Sequence, residues 1–191
     1  SGNRIRLRFF AGFDYQDLNL EAKNLVKEAY KRGVPMGSDL VAEDKKAPTF
    51  LIWAQKDQRT TSLQRLQVIK GWVDPSDGSS HEEIYDAACS DGLIVNPKNF
   101  RCPDNGARVN LADCSVSNSG STELKTLWSD PDFNPNHNAF YYVRVLENPS
   151  CRWTAWDAVK NGRDPREDLD PIIQDRAWSS PIWYISEAEN K

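Results

Sequence analysis

Arg144, Glu147, Arg152, Asp175 and Arg176 lie in and after the most strand-like segment of this chain, and their types suit them to hold an anion. An arginine offers planar, paired donors that match a carboxylate or a phosphate. Alternation over residues 140–147 puts Arg144 on one face with Tyr142 and Leu146. A guanidinium among apolar neighbours needs a carboxylate partner, and Glu147 and Asp175 are the candidates. The group therefore reads either as an anion-binding fork or as a buried ion-pair network, and the residue pattern favours the network. If this chain contacts a substrate, Arg144, Arg152 and Arg176 are expected to face it, with Glu147 and Asp175 beside them.

Other constellations carry less. Asp130, Asp132, Asn134 and Asn136 place oxygen ligands at alternate positions, as a calcium loop does. Pro135 stands where such a loop needs glycine, and Tyr141 where it needs its bidentate glutamate, so a rigid turn is expected. Gly37-Ser38-Asp39-Leu40 resembles the Gly-Ser-Asp-x-His ending of some metal hydrolases, but Val41 has no lone pair to offer a metal. His81 and His137 are the only histidines, so a centre built on several imidazoles cannot be housed in this chain alone. Trp153, Trp156, Trp178 and Trp183 crowd the C-terminal part. Exposed, they could stack on sugar rings; the larger expectation is that they are core, because each buries a large apolar area. No nucleophile elbow, phosphate-binding glycine loop or dinucleotide fingerprint occurs.

The chain has 191 residues, 39% of them hydrophobic and 27% charged, the balance of a globular domain with room for a core. A formal charge of −4 without a basic stripe argues against a nucleic-acid partner. The longest apolar runs, 50–54 and 139–143, are too short to span a bilayer. Cys89, Cys102, Cys114 and Cys151 include no Cys-x-x-Cys pair, which excludes a zinc ribbon and a thioredoxin-type site. Four cysteines allow three pairings. Cys102 and Cys114 flank a loop rich in turn formers, which suits a local bridge contributing about 3 kcal/mol. Bridged cysteines imply an oxidising compartment, a periplasm or the exterior. The opening Ser1-Gly2-Asn3, without Met, is read as a processed end or a cut from something longer.

These residues need positioning elements. Residues 4–10 alternate, Arg4, Arg6 and Arg8 against Ile5, Leu7 and Phe9, and predict a half-buried strand. Residues 18–32 shift to helical spacing and end on Lys31 and Arg32, with Gly33 suited to close the helix. Residues 34–46 read as a loop. Strands are predicted over 49–56, 63–73 and 82–89, the three forming an antiparallel meander. Residues 90–121 are rich in Gly, Asn, Asp and Ser, with one short strand candidate at 107–111. Further strands are predicted at 123–128, 140–147 and 181–185. A short helix over 154–160 would take Thr154 as N-cap and Asp157 as capping-box residue, with Gly162 after it. The whole reads as one mainly β domain over residues 1–191, an antiparallel β-sandwich with two short helical insertions.

Long phrases then point to a family. They include Arg4-Ile5-Arg6-Leu7-Arg8-Phe9-Phe10, Gly33-Val34-Pro35-Met36-Gly37-Ser38-Asp39-Leu40 and Gln67-Val68-Ile69-Lys70-Gly71-Trp72. They continue with Trp128-Ser129-Asp130-Pro131-Asp132-Phe133, Phe140-Tyr141-Tyr142-Val143-Arg144-Val145-Leu146-Glu147-Asn148-Pro149 and Gln174-Asp175-Arg176-Ala177-Trp178-Ser179-Ser180-Pro181-Ile182-Trp183-Tyr184. Over nearly its whole length the chain resembles the C-terminal region of a bacterial domain-of-unknown-function family. The front part of those large, often exported proteins resembles the PHP (polymerase and histidinol phosphatase) barrel of metal-dependent phosphoesterases.

The resemblance implies that the metal-binding motifs lie upstream of this chain, so no catalytic residue, metal ligand or cofactor is assigned within it. A divalent metal is implied for the upstream barrel. That barrel, part of the same longer protein, is the implied partner. Asp175 departs from the glutamate of the family pattern before Arg-Ala-Trp, which shortens the reach of any pairing with Arg144 or Arg152. The first functional expectation is a non-catalytic C-terminal accessory domain of a PHP-like hydrolase, periplasmic or secreted. The alternative is a carbohydrate-binding or other ligand-binding β-sandwich module, and a third is a purely structural domain clamped by disulfides.

Overall fold

The computed structural model describes residues 3–43 and 45–187. In chain order its elements are β1 (Arg6–Gly12), α1 (Leu25–Arg32), β2 (Val34–Pro35), β3 (Asp39–Val41), β4 (Thr49–Gln55), β5 (Leu63–Val73), β6 (Ser80–Cys89), β7 (Val109–Asn110) and β8 (Ser115–Val116). There follow β9 (Glu123–Ser129), β10 (Ala139–Glu147), β11 (Ser150–Cys151), α2 (Trp153–Lys160), β12 (Ile172–Ile173), β13 (Arg176–Trp178) and β14 (Ile182–Ile185).

Two sheets make the sandwich. One has four strands in the order β2-β1-β4-β9; the other runs β3-β14-β10-β5-β6, with β13 also pairing β10. The expected mainly β, antiparallel sandwich with two helices is therefore the observed fold, with one parallel pairing, β14 to β3. The core between the sheets takes Phe9, Phe50, Ile52 and Ala54 from the first, and Val68, Tyr141, Val143, Val145 and Tyr184 from the second. β10 shows why alternation found it: Ala139, Tyr141, Val143 and Val145 are buried inward, while Phe140, Tyr142 and Arg144 are half-buried on the outer face.

The meander expected from β4, β5 and β6 is broken. β4 belongs to the four-stranded sheet, and only β5 and β6 form a hairpin. The reason lies in burial. β4 is covered on both faces, by the core on one and by Phe10, Leu18, Leu25 and Ala29 around its own Leu51 on the other, so its sequence is almost continuously apolar. The 34–46 segment is also less irregular than expected, since β2 and β3 each join a sheet edge there.

The helices are shorter than predicted or capped differently. α1 begins at Leu25, and residues 18–24 form turns that bury Leu18. Gly33 follows α1 in extended backbone, not the left-handed cap expected. Glycine is needed there because a Cβ would collide with the Ala11 carbonyl and the Tyr15 hydroxyl. α2 starts one residue early, after Arg152, so Thr154 and Asp157 make no capping box.

The disulfides join Cys89 to Cys102 and Cys114 to Cys151. The local Cys102–Cys114 bridge is therefore corrected. Cys102 is drawn instead to β6, where its amide donates to the buried Asp86 carboxylate at 2.7 Å. Cys114 packs with Cys151 and Ala155 in a small cluster that ties the 109–116 hairpin to α2. No helix among the described residues is long and apolar enough to cross a membrane.

Candidate functional site

The outer face of the six-stranded sheet gathers side chains that the sequence scatters. Register places Trp178 opposite Arg144, Arg144 opposite Gln67, and Gln67 opposite Asp86. Directly opposed residues share a face, so one ladder crosses β13, β10, β5 and β6. Arg144 Nε donates to Gln67 Oε1 at 2.8 Å, and Gln67 Nε2 donates to Asp86 Oδ1 at 2.6 Å. Arg65 reaches Asp86 at 3.3 Å and Arg101 at 3.9 Å. The carboxylate expected beside Arg144 is thus Asp86, reached through an amide, and neither Glu147 nor Asp175 pairs with it among the described contacts.

A second row on the same face runs Trp183, Phe140, Gly71 and Glu82. The Phe140 ring packs against Gly71, where any Cβ would strike it. Its centroid is 5.2 Å from Trp183 and 6.3 Å from Tyr142, the latter nearly parallel at 14°. The core expectation for the four C-terminal tryptophans is corrected. Trp153, Trp156, Trp178 and Trp183 are 75%, 42%, 57% and 46% exposed. The reason is positional: Trp178 and Trp183 alternate with the inward Ala177, Ile182 and Tyr184, so parity sends them outward.

The five residues singled out from sequence separate into distinct places. Arg144 and Arg176 share the outer face, since Arg176 opposes Leu146 on the strand that carries Trp178. Glu147 is 1% exposed and accepts from Thr60 Oγ1 at 2.7 Å and Asn3 Nδ2 at 2.6 Å. Asn3 also donates to Asp175 Oδ2 at 2.9 Å, so one amide bridges both carboxylates. Burial pushes the Glu147 carboxyl above its usual range; the Thr60 and Asn3 bonds oppose this, and nearby Asp175 adds to it. Arg152 is apart from all four and donates to the Asp170 carbonyl at 2.8 Å.

Sequence reasoning missed the buried polar centre between the sheets. Lys70 Nζ lies 2.6 Å from Asp130 Oδ2 and donates to the Asp132 carbonyl at 2.8 Å. Tyr141 donates to Asp130 at 2.8 Å and Tyr85 to Asp132 at 2.9 Å. Burial, then the adjoining carboxylates, raise both phenols far above the normal tyrosine range. The calcium-like spacing of Asp130 and Asp132 is thereby explained: the lysine ammonium supplies the cation that these oxygens hold. Alternation was the available signal, because Lys70 shares its parity with Leu66, Val68 and Trp72.

A third feature is an open cavity of about 1080 Å³ lined by Arg4, Arg6, Lys56, Asp57 and Arg59. The Asp57 carboxylate accepts the Arg59 and Arg4 amides there, and those bonds lower its pKa.

No group of three or more His, Cys, Asp and Glu among the described residues is arranged to hold a metal ion. His81 stacks on Trp72 at 5.0 Å and bonds Ser79, whereas His137 bonds Asn134. No curated protein and no solved structure matches this chain at a significant level. The model of the family described as "Protein of unknown function (DUF3604)" does match, over residues 1–186, and the chain belongs to that family.

Proposed function

We propose that this chain is the non-catalytic accessory β-sandwich of a larger PHP-like metal-dependent hydrolase acting in a periplasm or outside the cell. It packs beside the barrel that carries the divalent metals and supplies contact to the substrate instead of chemistry. The observation that carries this reading is a division of labour among side chains. Several groups suited to acid, base or ligand roles are already engaged within the fold: Lys70 on Asp130, Tyr85 on Asp132, Glu147 under Thr60 and Asn3. The outer face of the six-stranded sheet carries exposed Trp178, Trp183 and Arg176, side chains that bind more than they react. The two disulfides fit an oxidising compartment. The test is an assay of the purified chain on a chromogenic phosphodiester with added Mn²⁺ or Zn²⁺. No turnover above a blank is expected; clear turnover overturns the reading.

A second reading, a carbohydrate-binding module in its own right, is favoured by the exposure of Trp153, Trp156, Trp178 and Trp183. Titrating tryptophan emission with a glycan panel tests it, and no spectral change with any glycan would remove it.

A further inference from the structure

We infer that the outer face of the six-stranded sheet is a binding platform for a carboxylated oligosaccharide, with the sugar acid seated at the Trp178 end. The inference rests on the carbohydrate-binding reading and adds the place, the orientation and the charge of the ligand.

The platform is built from two exposed indoles on one face. Trp183 opposes Phe140 and Trp178 opposes Arg144, four residues further along β10. At the ~3.3 Å rise of a strand their anchor points are about 13 Å apart, a span suited to a short oligosaccharide and too long for one sugar ring. Phe140 and Tyr142 continue the apolar surface beside Trp183. A rigid sheet holds these rings at little entropic cost, because strand pairing and the contact of Phe140 with Gly71 already order them. Aromatic faces of this kind attract the C–H-lined faces of pyranose rings.

Charge gives the platform a direction. Arg144 flanks Trp178 and spends its Nε on Gln67, while its terminal nitrogens have no hydrogen bond among the described residues. Arg176 is exposed on the same face and has no ion pair among the described residues. Arg65, opposite Leu146, is already paired with Asp86. The other end is acidic, since Asp39 opposes Trp183 and Glu82 ends the Phe140 row. A carboxylate therefore finds guanidinium donors beside Trp178 and repulsion beside Trp183. Arginine pairs with carboxylate through two parallel bonds, which fixes the orientation as well as the affinity.

The test is calorimetric titration of the whole chain with a galacturonate hexamer and with the neutral cello-hexamer, at low and high salt. Binding of the galacturonate hexamer that weakens with salt is expected, with little response to the neutral one. Arg176→Gln should weaken acidic binding about tenfold, the loss of one charge-assisted contact. Trp178→Ala should do at least as much, while Ile94→Ala, at an exposed apolar side chain outside the tryptophan groups, leaves binding unchanged. Circular dichroism confirms that each variant is folded; all three side chains are exposed, so folding should persist. Equal binding of both hexamers, untouched by Arg176→Gln, would overturn the inference and leave the broader carbohydrate-binding reading standing. No binding of either hexamer by the folded chain would overturn the inference, and only silence across the whole glycan panel would remove the carbohydrate-binding reading as well. Loss of binding in Trp153→Ala but not in Trp178→Ala would overturn the location.

Discussion

Lys70 and Asp130 sit 2.6 Å apart with 4% and 0% of their side chains exposed, joined on the carboxylate by the Tyr141 hydroxyl. Such a pair adds little over an apolar replacement, but removing one partner strands the other charge in a poorly solvated place. Lys70→Met is expected to cost about 3–5 kcal/mol in urea unfolding. Lys70→Met combined with Asp130→Leu should cost clearly less than the sum of the two single changes. Additive costs would mean that the two charges do not sustain each other.

The two disulfides close loops of different length, with separations of 13 and 37 residues. On the loop-entropy account the shorter contributes about 3 kcal/mol and the longer about 4 kcal/mol. Replacing Cys114 and Cys151 together by serine should therefore lower the unfolding midpoint more than replacing Cys89 and Cys102. It should also free α2, which buries only Ala155 and Ala158 of its own side chains. Peptide mapping without reductant should recover Cys89 linked to Cys102 and Cys114 linked to Cys151; any other pairing contradicts the structure.

Glu147 makes stability depend on pH in a direction opposite to most carboxylates. Burial raises its pKa in the folded chain, so the folded state holds the proton more tightly than the unfolded one. As pH rises from the ordinary carboxylate range through the raised folded value, that contribution to stability is lost. Glu147→Gln removes this titration. The difference in unfolding free energy, wild type minus variant, should thus favour wild type more at mildly acid pH than at neutral pH. A flat difference would show that the carboxyl is not perturbed by its surroundings.

Gly71 is a packing position rather than a turn. Its Cβ would enter the Phe140 ring at 2.5 Å from Cε1 and 2.9 Å from Cε2. Gly71→Ala should destabilise by about 1–3 kcal/mol through overpacking. It should also lift Phe140 against Trp183, visible as a change in the near-ultraviolet circular dichroism. Retention of the wild-type spectrum would mean that Phe140 does not rest on the glycine.

Elements governed by local pattern were legible in the sequence. The alternation of β10 gave its inner and outer faces residue by residue; in β1 it held only over Arg6–Phe9, because Phe10 is buried as well, on the opposite face. What failed needed knowledge of the third dimension. Trp178 and Trp183 look like core by size, and only the register of β13 and β14 on β10 sends them to solvent. Cys102 and Cys114 look like partners by proximity, yet Asp86 draws the first to β6 and α2 captures the second. Arg144 did have a carboxylate, but on β6, far outside the segment in which a partner was sought. Of the expected anion-binding group, Arg144 and Arg176 converge on one face, Glu147 and Asp175 meet across Asn3, and Arg152 stands elsewhere.

The Cys89–Cys102 bridge has a bearing on self-association. β6 ends the six-stranded sheet, so its outer margin would present unpaired backbone groups. The segment held by the bridge occupies that margin. Asp86 donates its amide to the Phe100 carbonyl at 2.9 Å, Arg101 caps the Ile84 carbonyl, and Cys102 bonds the Asp86 side chain. An open sheet margin is a template for pairing with another chain. Oxidation thus keeps the molecule colloidally inert as well as folded. On reduction the tethered segment is expected to loosen, so that light scattering rises before circular dichroism is lost; scattering that stays flat until global unfolding would contradict this.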